Sequence, residues 1–336
     1  MAPEYVLAAD VGGTKVATAV VSAAGEILHV SKRPTDMGGP AALLDQLTAM
    51  LQDDLVQAGV YGQDVLGLGA GVPAVIDADH NVVLWAPNLP GWENVPLHDE
   101  LATRLHLPVR IEYDGHTAVL GEWWLGAGRG YQNVVFLIVG TGIGGGMILD
   151  GHLYRGASTL AGAAGWFVLN DGPLSEETAL RVGHWESLAA GPAIARSAAQ
   201  RLRRGEQPSI LRRQCPHPYD ALTAEAVFAA ARQGDTLACD VVRHTGEVLG
   251  AGIANIVSLL NPEVVILGGG VGAQADLLVD RIREVVLRHA QPISARAVQI
   301  VPSQLGDAAG LLGAAKAVLL YCKAVSPLSL PGRGLG

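Results

Sequence analysis

Twice in this chain a short apolar run stops at a turn of glycine and threonine, and each time two further short runs follow. The first copy covers residues 5–9, then Asp10-Val11-Gly12-Gly13-Thr14-Lys15, residues 16–21, a turn at Ala24-Gly25-Glu26, and residues 27–30. The second covers residues 133–139, then Gly140-Thr141-Gly142-Ile143-Gly144-Gly145-Gly146, residues 147–149, a turn at Asp150-Gly151, and residues 152–154. Apolar runs of this length between glycine turns read as strands, and tight turns in succession make an antiparallel meander. The repeat is a sign of internal duplication, although the copies share too little identity to prove it by sequence alone.

Between and after the meanders the pattern changes period. Leu44, Leu47, Leu51 and Leu55 recur at helical spacing within residues 41–58, and residues 65–70 return as a buried strand ending at Gly71-Val72-Pro73. Strands alternating with helices indicate an α/β layer architecture. Beyond residue 185 the chain reads as largely helical. Val241, Thr245, Val248, Gly252, Ile256 and Leu259 share one face of a helix over residues 240–260. Residues 263–267 form a buried strand that ends in Gly268-Gly269-Gly270, and Asp307 is placed to cap a small-residue helix ending near Cys322. The Pro/Gly-rich tail, residues 326–336, has no periodicity and is expected to be disordered. A length of 336 residues fits two domains or two lobes. The expected division is a small α/β lobe over residues 1–115, completed by a helix at 307–323, and a larger lobe with helical insertions over 116–306.

Charge and cysteine usage exclude several classes. The net charge is −9, from 23 basic and 32 acidic residues, which leaves no electrostatic footprint for nucleic acid. The run 201–204 and the pair Arg212, Arg213 read as solvated helix faces. Cys215, Cys239 and Cys322 form no C-x-x-C pair and are expected to be buried as small hydrophobes in a reducing compartment. The first ten residues lack the pattern of a signal peptide, and no apolar stretch reaches the roughly 18 residues of a membrane span. A soluble, cytoplasmic protein is expected.

Polyphosphate binding needs converging backbone N–H groups with no side chains in the way, and glycine permits both the close approach and the positive φ of such nests. Asp10-Val11-Gly12-Gly13-Thr14-Lys15 has the parts: Gly12 and Gly13 open the turn, Thr14 offers a hydroxyl, and Lys15 offers charge. Asp10 at the strand end can hold Mg²⁺ through water. Gly140-Thr141-Gly142, with the glycines after it, offers a second nest and Gly268-Gly269-Gly270 a third. There is no G-x-x-x-x-G-K-[ST], and the hairpin after Gly140-x-Gly142-x-Gly144 does not suit a dinucleotide fingerprint, which requires a helix. Any one of these loops alone reads as a glycine hairpin. Three, each ending a buried strand, point to a bound nucleotide.

Together, Asp10-Val11-Gly12-Gly13-Thr14-Lys15, Gly71-Val72-Pro73, Ala86-Pro87-Asn88-Leu89-Pro90-Gly91-Trp92, the glycine run 140–146 and Tyr154-Arg155-Gly156 resemble the ROK family. That family holds bacterial glucokinases, fructokinases, N-acetylhexosamine kinases and sugar-sensing repressors. The resemblance runs from about residue 5 to residue 322. It implies an actin/hexokinase-like (ribonuclease H-like) α/β fold with two duplicated lobes and a central cleft, ATP with its Mg²⁺, a sugar or polyol acceptor, and a homo-oligomer, most simply a dimer. The family's catalytic Asn-Asp-Ala-Asn segment corresponds to Tyr113-Asp114-Gly115-His116, preceded by Glu112. Asp114 would then take the proton from the sugar hydroxyl. Its simpler role is a helix N-cap, and the two are compatible.

The sugar pocket departs from the family. Where the family has Ala-Gly-Glu-x-Gly-His, this chain has Ala161-Gly162-Ala163-Ala164-Gly165-Trp166, so the sugar-reading glutamate and the zinc-ligating histidine are both missing. No cysteine lies between Trp166 and Glu186, and His184 alone cannot make a tetrahedral site, so no zinc is expected. Each sugar hydroxyl left without a partner costs roughly 1–3 kcal/mol. Trp166 and Tyr113 either rebuild the pocket with aromatic faces or simply fill space. The expected acceptor site comprises Gly71, Asn88, Tyr113, Asp114, Trp166 and Glu186. Two functions remain: an ATP-dependent, glucokinase-like sugar kinase of carbohydrate metabolism, or a non-catalytic ATP- and sugar-binding sensor. A repressor is disfavoured, because family repressors carry a helix-turn-helix ahead of the first glycine loop and only nine residues precede Asp10 here.

Overall fold

A computed structural model describes residues 4–77, 82–86, 88–169, 182–205 and 208–325, so the tail at 326–336 lies outside the described residues. The chain divides into two compact units. The first comprises Met1–Arg129, Leu153–Ala161 and the chain from Asp307 onward; the second comprises Gly130–His152 and Gly162–Gly306.

In the first unit, strands β1 (Tyr5–Val11), β2 (Lys15–Ser22) and β3 (Ile27–Pro34) form the expected antiparallel meander, and β4 (Val65–Val72) and β8 (Val109–Tyr113) extend it in parallel. The sheet order is β3-β2-β1-β4-β8. Between β4 and β8 the short strands β5 (Val75–Asp77), β6 (Val82–Trp85) and β7 (Glu93–Val95) make a separate three-stranded sheet. Helices α1 (Pro40–Ala58) and α2 (Leu97–Leu105) bury Leu47, Leu51 and Leu101 against Leu7, Leu68 and Trp92. Helix α3 (Asp114–Leu125) and the C-terminal helix Ala308–Val325 pack closely, because glycines remove the side chains between them. A Cβ on Gly313 would fall 1.5 Å from the Thr117 carbonyl oxygen, and one on Gly69 of β4 would fall 1.9 Å from that of Ala314. This packing keeps α3 in the first unit, so the unit extends to Arg129 and not to residue 115 as expected from sequence.

The second unit repeats the topology. Strands β9 (Val134–Val139), β10 (Ile143–Leu149) and β11 (His152–Leu153) lie beside the parallel strands β12 (Val264–Gly268) and β13 (Gln299–Pro302), in the order β11-β10-β9-β12-β13. The duplication suggested by the two meanders is thus present in the strand order. The long helix Thr236–Leu260 buries Val241, Thr245, Gly252 and Ile256 in a core with Trp185, Phe228 and Val265, whereas Leu259, expected on that face, is exposed.

Two further expectations are corrected. The glycine run 140–146 is not one loop: Gly144, Gly145 and Gly146 pair with Ile138, Leu137 and Phe136 inside β10, and only Gly140-Thr141-Gly142 forms the turn. Gly145 is needed there because a Cβ would fall 2.0 Å from the Phe136 carbonyl oxygen. Of the cysteines, Cys215 is buried and Cys322 partly so, but Cys239 is exposed. No helix among the described residues is long and apolar enough to cross a membrane.

Candidate active site

In the first unit the sheet register sets the site. Asp10 on β1 pairs with Gly71 on β4, and Gly71 pairs with Glu112 on β8, so three strands bring these residues to one line. A Cβ on Gly71 would fall 2.7 Å from Thr117 Oγ1, so glycine there admits α3. Asp114 is the first residue of α3, and its Oδ1 accepts the Gly115 N–H at 2.7 Å. The N-cap position falls on Tyr113 and carries no side-chain cap bond, so Asp114 is not the helix cap expected from sequence. Burial, with the nearby Asp10 charge added, pushes Asp114 up to about 7, well above an ordinary aspartate. Asp10 is pushed up to about 6, mainly by burial, against the pull of Lys15. Its carboxylate lies against Gly310, where a Cβ would come within 2.6 Å of Oδ2.

The first glycine turn closes through Gly12 N–H donating to the Lys15 carbonyl at 2.9 Å, and Thr35 Oγ1 donates to the Gly12 carbonyl at 2.7 Å. Asn88 packs on Gly13, where a Cβ would meet its own Cβ at 2.9 Å. Thr14 and Lys15 are exposed. Lys15 Nζ binds Asp307 Oδ2 at 3.0 Å, and Lys32 Nζ binds the same oxygen at 3.1 Å, holding Asp307 below the usual carboxylate range. Sequence reasoning cast Asp307 only as a helix cap and did not find Lys32.

Two residues before Asp114, the buried Glu112 carboxylate holds ion pairs that sequence reasoning missed. The Glu112 carboxylate, 3% exposed, receives Arg155 Nε at 3.1 and 3.0 Å, Arg155 Nη2 at 2.7 Å and Arg110 Nε at 2.9 Å. Burial alone would raise Glu112; His116, Arg155 and Arg110 outweigh it and bring it to about 2. His116 is fully buried, donates Nε2–H to the Ala161 carbonyl at 2.9 Å, and meets the Tyr113 ring edge-on at 5.3 Å.

In the second unit Gly140 N–H donates to the Gly142 carbonyl at 2.9 Å, leaving Thr141 at the exposed tip of the turn. Gly270 N lies 4.0 Å from where a Gly140 Cβ would be, so the second and third glycine segments are neighbours. The third is not a loop: Gly268 ends β12, and Gly269, at φ +78°, opens a single helical turn to Gly272. Glu186 Oε2 accepts the Ile143 N–H at 2.8 Å and lies 2.6 Å from a Cβ on Gly142 and 3.2 Å from one on Gly165. Burial raises its pKa, with the Ile143 N–H opposing. Glu186 thus braces the second turn. Trp166 is 55% exposed, so its indole is not a space-filling core group. His184 Nδ1 accepts the Leu169 N–H at 3.2 Å.

The sequence pattern of the ROK family matches residues 6–320. The chain belongs to the ROK family. Among ROK relatives, it is 32% identical to a glucokinase of Halalkalibacterium halodurans over 314 residues, 93% of this chain and 94% of that one. It is 34% identical to a glucokinase of Streptomyces coelicolor, covering 91% and 95%. A crystal structure of a ROK glucokinase from Streptomyces griseus, in complex with glucose and AMPPNP, superposes with a TM-score of 0.77 at 34% identity, covering 93% of this chain and 98% of that one.

Proposed function

We propose that this chain is an ATP-dependent sugar kinase of the ROK type, with Asp114 as general base. Asp114 removes the proton from an acceptor hydroxyl as that oxygen bonds to the γ-phosphorus; the bond to the β-phosphate oxygen breaks, and ADP leaves. The observation that carries this reading is the partly buried Asp114 at the start of α3, raised to about 7, with Oδ1 bonded to the Gly115 N–H of its own helix. A carboxyl in that range both accepts a proton and exists as the base at neutral pH. The glucokinases among its relatives, one crystallised with an ATP analogue, support the same reaction class.

We assign the phosphates to the glycine turns at Gly12-Gly13 and Gly140-Thr141-Gly142, with Gly268, Gly269 and Gly270 beside the latter. Thr14 and Lys15, both exposed, are the polar donors of the first turn. Asp10 would hold Mg²⁺ through water. We assign the acceptor to Gly71, Asn88, Tyr113, Asp114, Trp166 and Glu186. Ala163 and Trp166 replace a carboxylate and an imidazole, which favours an acceptor less hydroxylated than glucose, or a substituted or larger one. A zinc-free fold, a cytoplasmic location and a homodimer belong to the same proposal.

ADP release measured on a panel of glucose, fructose and N-acetylated hexosamines tests it. Turnover of at least one sugar is expected. ATP binding without turnover on any member would favour the non-catalytic sensor, to which the loss of the two polar sugar groups also points.

A further inference from the structure

We infer that Glu112, Arg155 and His116 form a positioning device for Asp114, clamping the irregular segment 154–161 onto the end of β8 and the first turn of α3, on either side of Asp114; the inference rests on the kinase reading. Asp114 lies midway between Glu112 and His116, and both neighbours direct their side chains to that one segment. Glu112 takes the Arg155 guanidinium on both oxygens, at 3.1 and 3.0 Å from Nε and 2.7 Å from Nη2. His116 gives its Nε2–H to the carbonyl of Ala161, the last residue of the segment, at 2.9 Å.

The segment has no ladder of its own. Its shape depends on Gly156 at φ +72°, Thr159 at φ +56°, a long Thr159 N–H bond to the Gly156 carbonyl at 3.5 Å, and Ala161 N–H donating to the Arg155 carbonyl at 3.0 Å. Besides the two clamps beside Asp114, Thr159 Oγ1 donates to the Ile76 carbonyl on β5 at 2.6 Å. Three side-chain tethers thus reach a stretch without secondary structure, in addition to its own backbone bonds.

His116 does two things: it helps hold the Glu112 carboxylate below the usual range, and it reaches the Ala161 carbonyl. His116 is fully buried, yet among the described residues Nδ1 has no hydrogen-bond partner, lying 3.8 Å from Glu112 Oε2. An apolar side chain would fill the space without leaving a polar atom unsatisfied. What histidine supplies is the long-reach N–H to Ala161. The clamp matters to the base because, among the described residues, the Gly115 N–H is the one hydrogen bond to the Asp114 carboxylate, at the very start of a helix. Misplacing a reacting group by about 1 Å costs roughly 10²-fold in rate. Ala161 is also covalently followed by Gly162 and Ala163, where this chain departs from its family.

The test compares His116→Ala, His116→Gln and Arg155→Ala in the full chain, with activity assayed on whichever sugar the wild type turns over. His116→Ala and Arg155→Ala should lower kcat about 10–100-fold and leave the KM for ATP unchanged. His116→Gln, which keeps an N–H at the same reach, should recover most of the rate. Hydrogen exchange of residues 154–161 gives a readout independent of turnover: the amides should be protected in the wild type and in His116→Gln, and exposed in His116→Ala. An unchanged kcat in variants whose segment has come loose would overturn the positioning role, and unchanged exchange in His116→Ala would overturn the clamp. If the wild type phosphorylates no sugar, the kinase reading falls separately, while exchange still decides whether the clamp exists.

Discussion

The charge on Asp10 raises the pKa of Asp114, adding to the larger effect of burial. The rate should therefore follow deprotonation of Asp114, with log kcat/KM climbing to a plateau through a midpoint near 7. Asp10→Asn should move that midpoint downward, since a neutral neighbour no longer opposes ionisation, whatever it does to the plateau. A midpoint that stays in place would show that another group limits the rate.

Asp114→Asn should retain ATP affinity and lose turnover by about 10²–10⁴-fold. The same variant should be more stable than the wild type in mild alkali. With the folded pKa about 7 and the ordinary value 3.8, the folded state holds an extra proton between them. The stability this carboxyl contributes is complete below about pH 4 and is lost as pH rises through about 7. Asparagine is never ionised, so its advantage in Tm should be present at pH 8 and vanish near pH 4. Thermal denaturation at the two pH values reads this directly.

The contact between α3 and the C-terminal helix leaves no room for a methyl group. Gly313→Ala, with its Cβ 1.5 Å from the Thr117 carbonyl oxygen, and Gly69→Ala, 1.9 Å from that of Ala314, should each destabilise by about 1–3 kcal/mol or more in urea. Gly62→Ala meets nothing within 4 Å and should leave the midpoint nearly unchanged.

Wild-type protein should phosphorylate glucose poorly. Ala163→Glu combined with Trp166→His restores the family's two polar groups and should shift preference toward glucose in a direct comparison with N-acetylated hexosamines and fructose. Wild-type turnover of glucose at the ordinary kinase rate of about 1–100 s⁻¹ would show those groups were never required.

Elemental analysis of purified protein should find no stoichiometric zinc. His184, the lone candidate ligand in its stretch, already commits Nδ1 to the Leu169 N–H.

The meanders and their glycine turns were legible in the sequence because alternating apolar runs and turns are local signals. The extent of the second turn was not. Gly144, Gly145 and Gly146 look like loop residues by type, and only the approach of the Phe136 carbonyl shows why a strand needs glycine there. Asp114 could be singled out through its surrounding motif. The pairing of Glu112 with Arg155 could not, because the two are 43 residues apart and lie in separate motifs that say nothing of contact between them. Lys15 and Asp307 are 292 residues apart, beyond any local pattern.

The first unit is assembled from three separate stretches of chain, the last beginning at Asp307, whereas all of the second lies between Gly130 and Gly306. During synthesis the second unit can therefore be completed while the first still lacks the helix that covers α3 and β4. Until that helix emerges, the glycine-lined surface of Gly69 and Gly121 is open to water and to other chains. A ribosome stalled before residue 307 would hold a finished half beside an unfinished one, and the nascent first unit is where a chaperone would be needed.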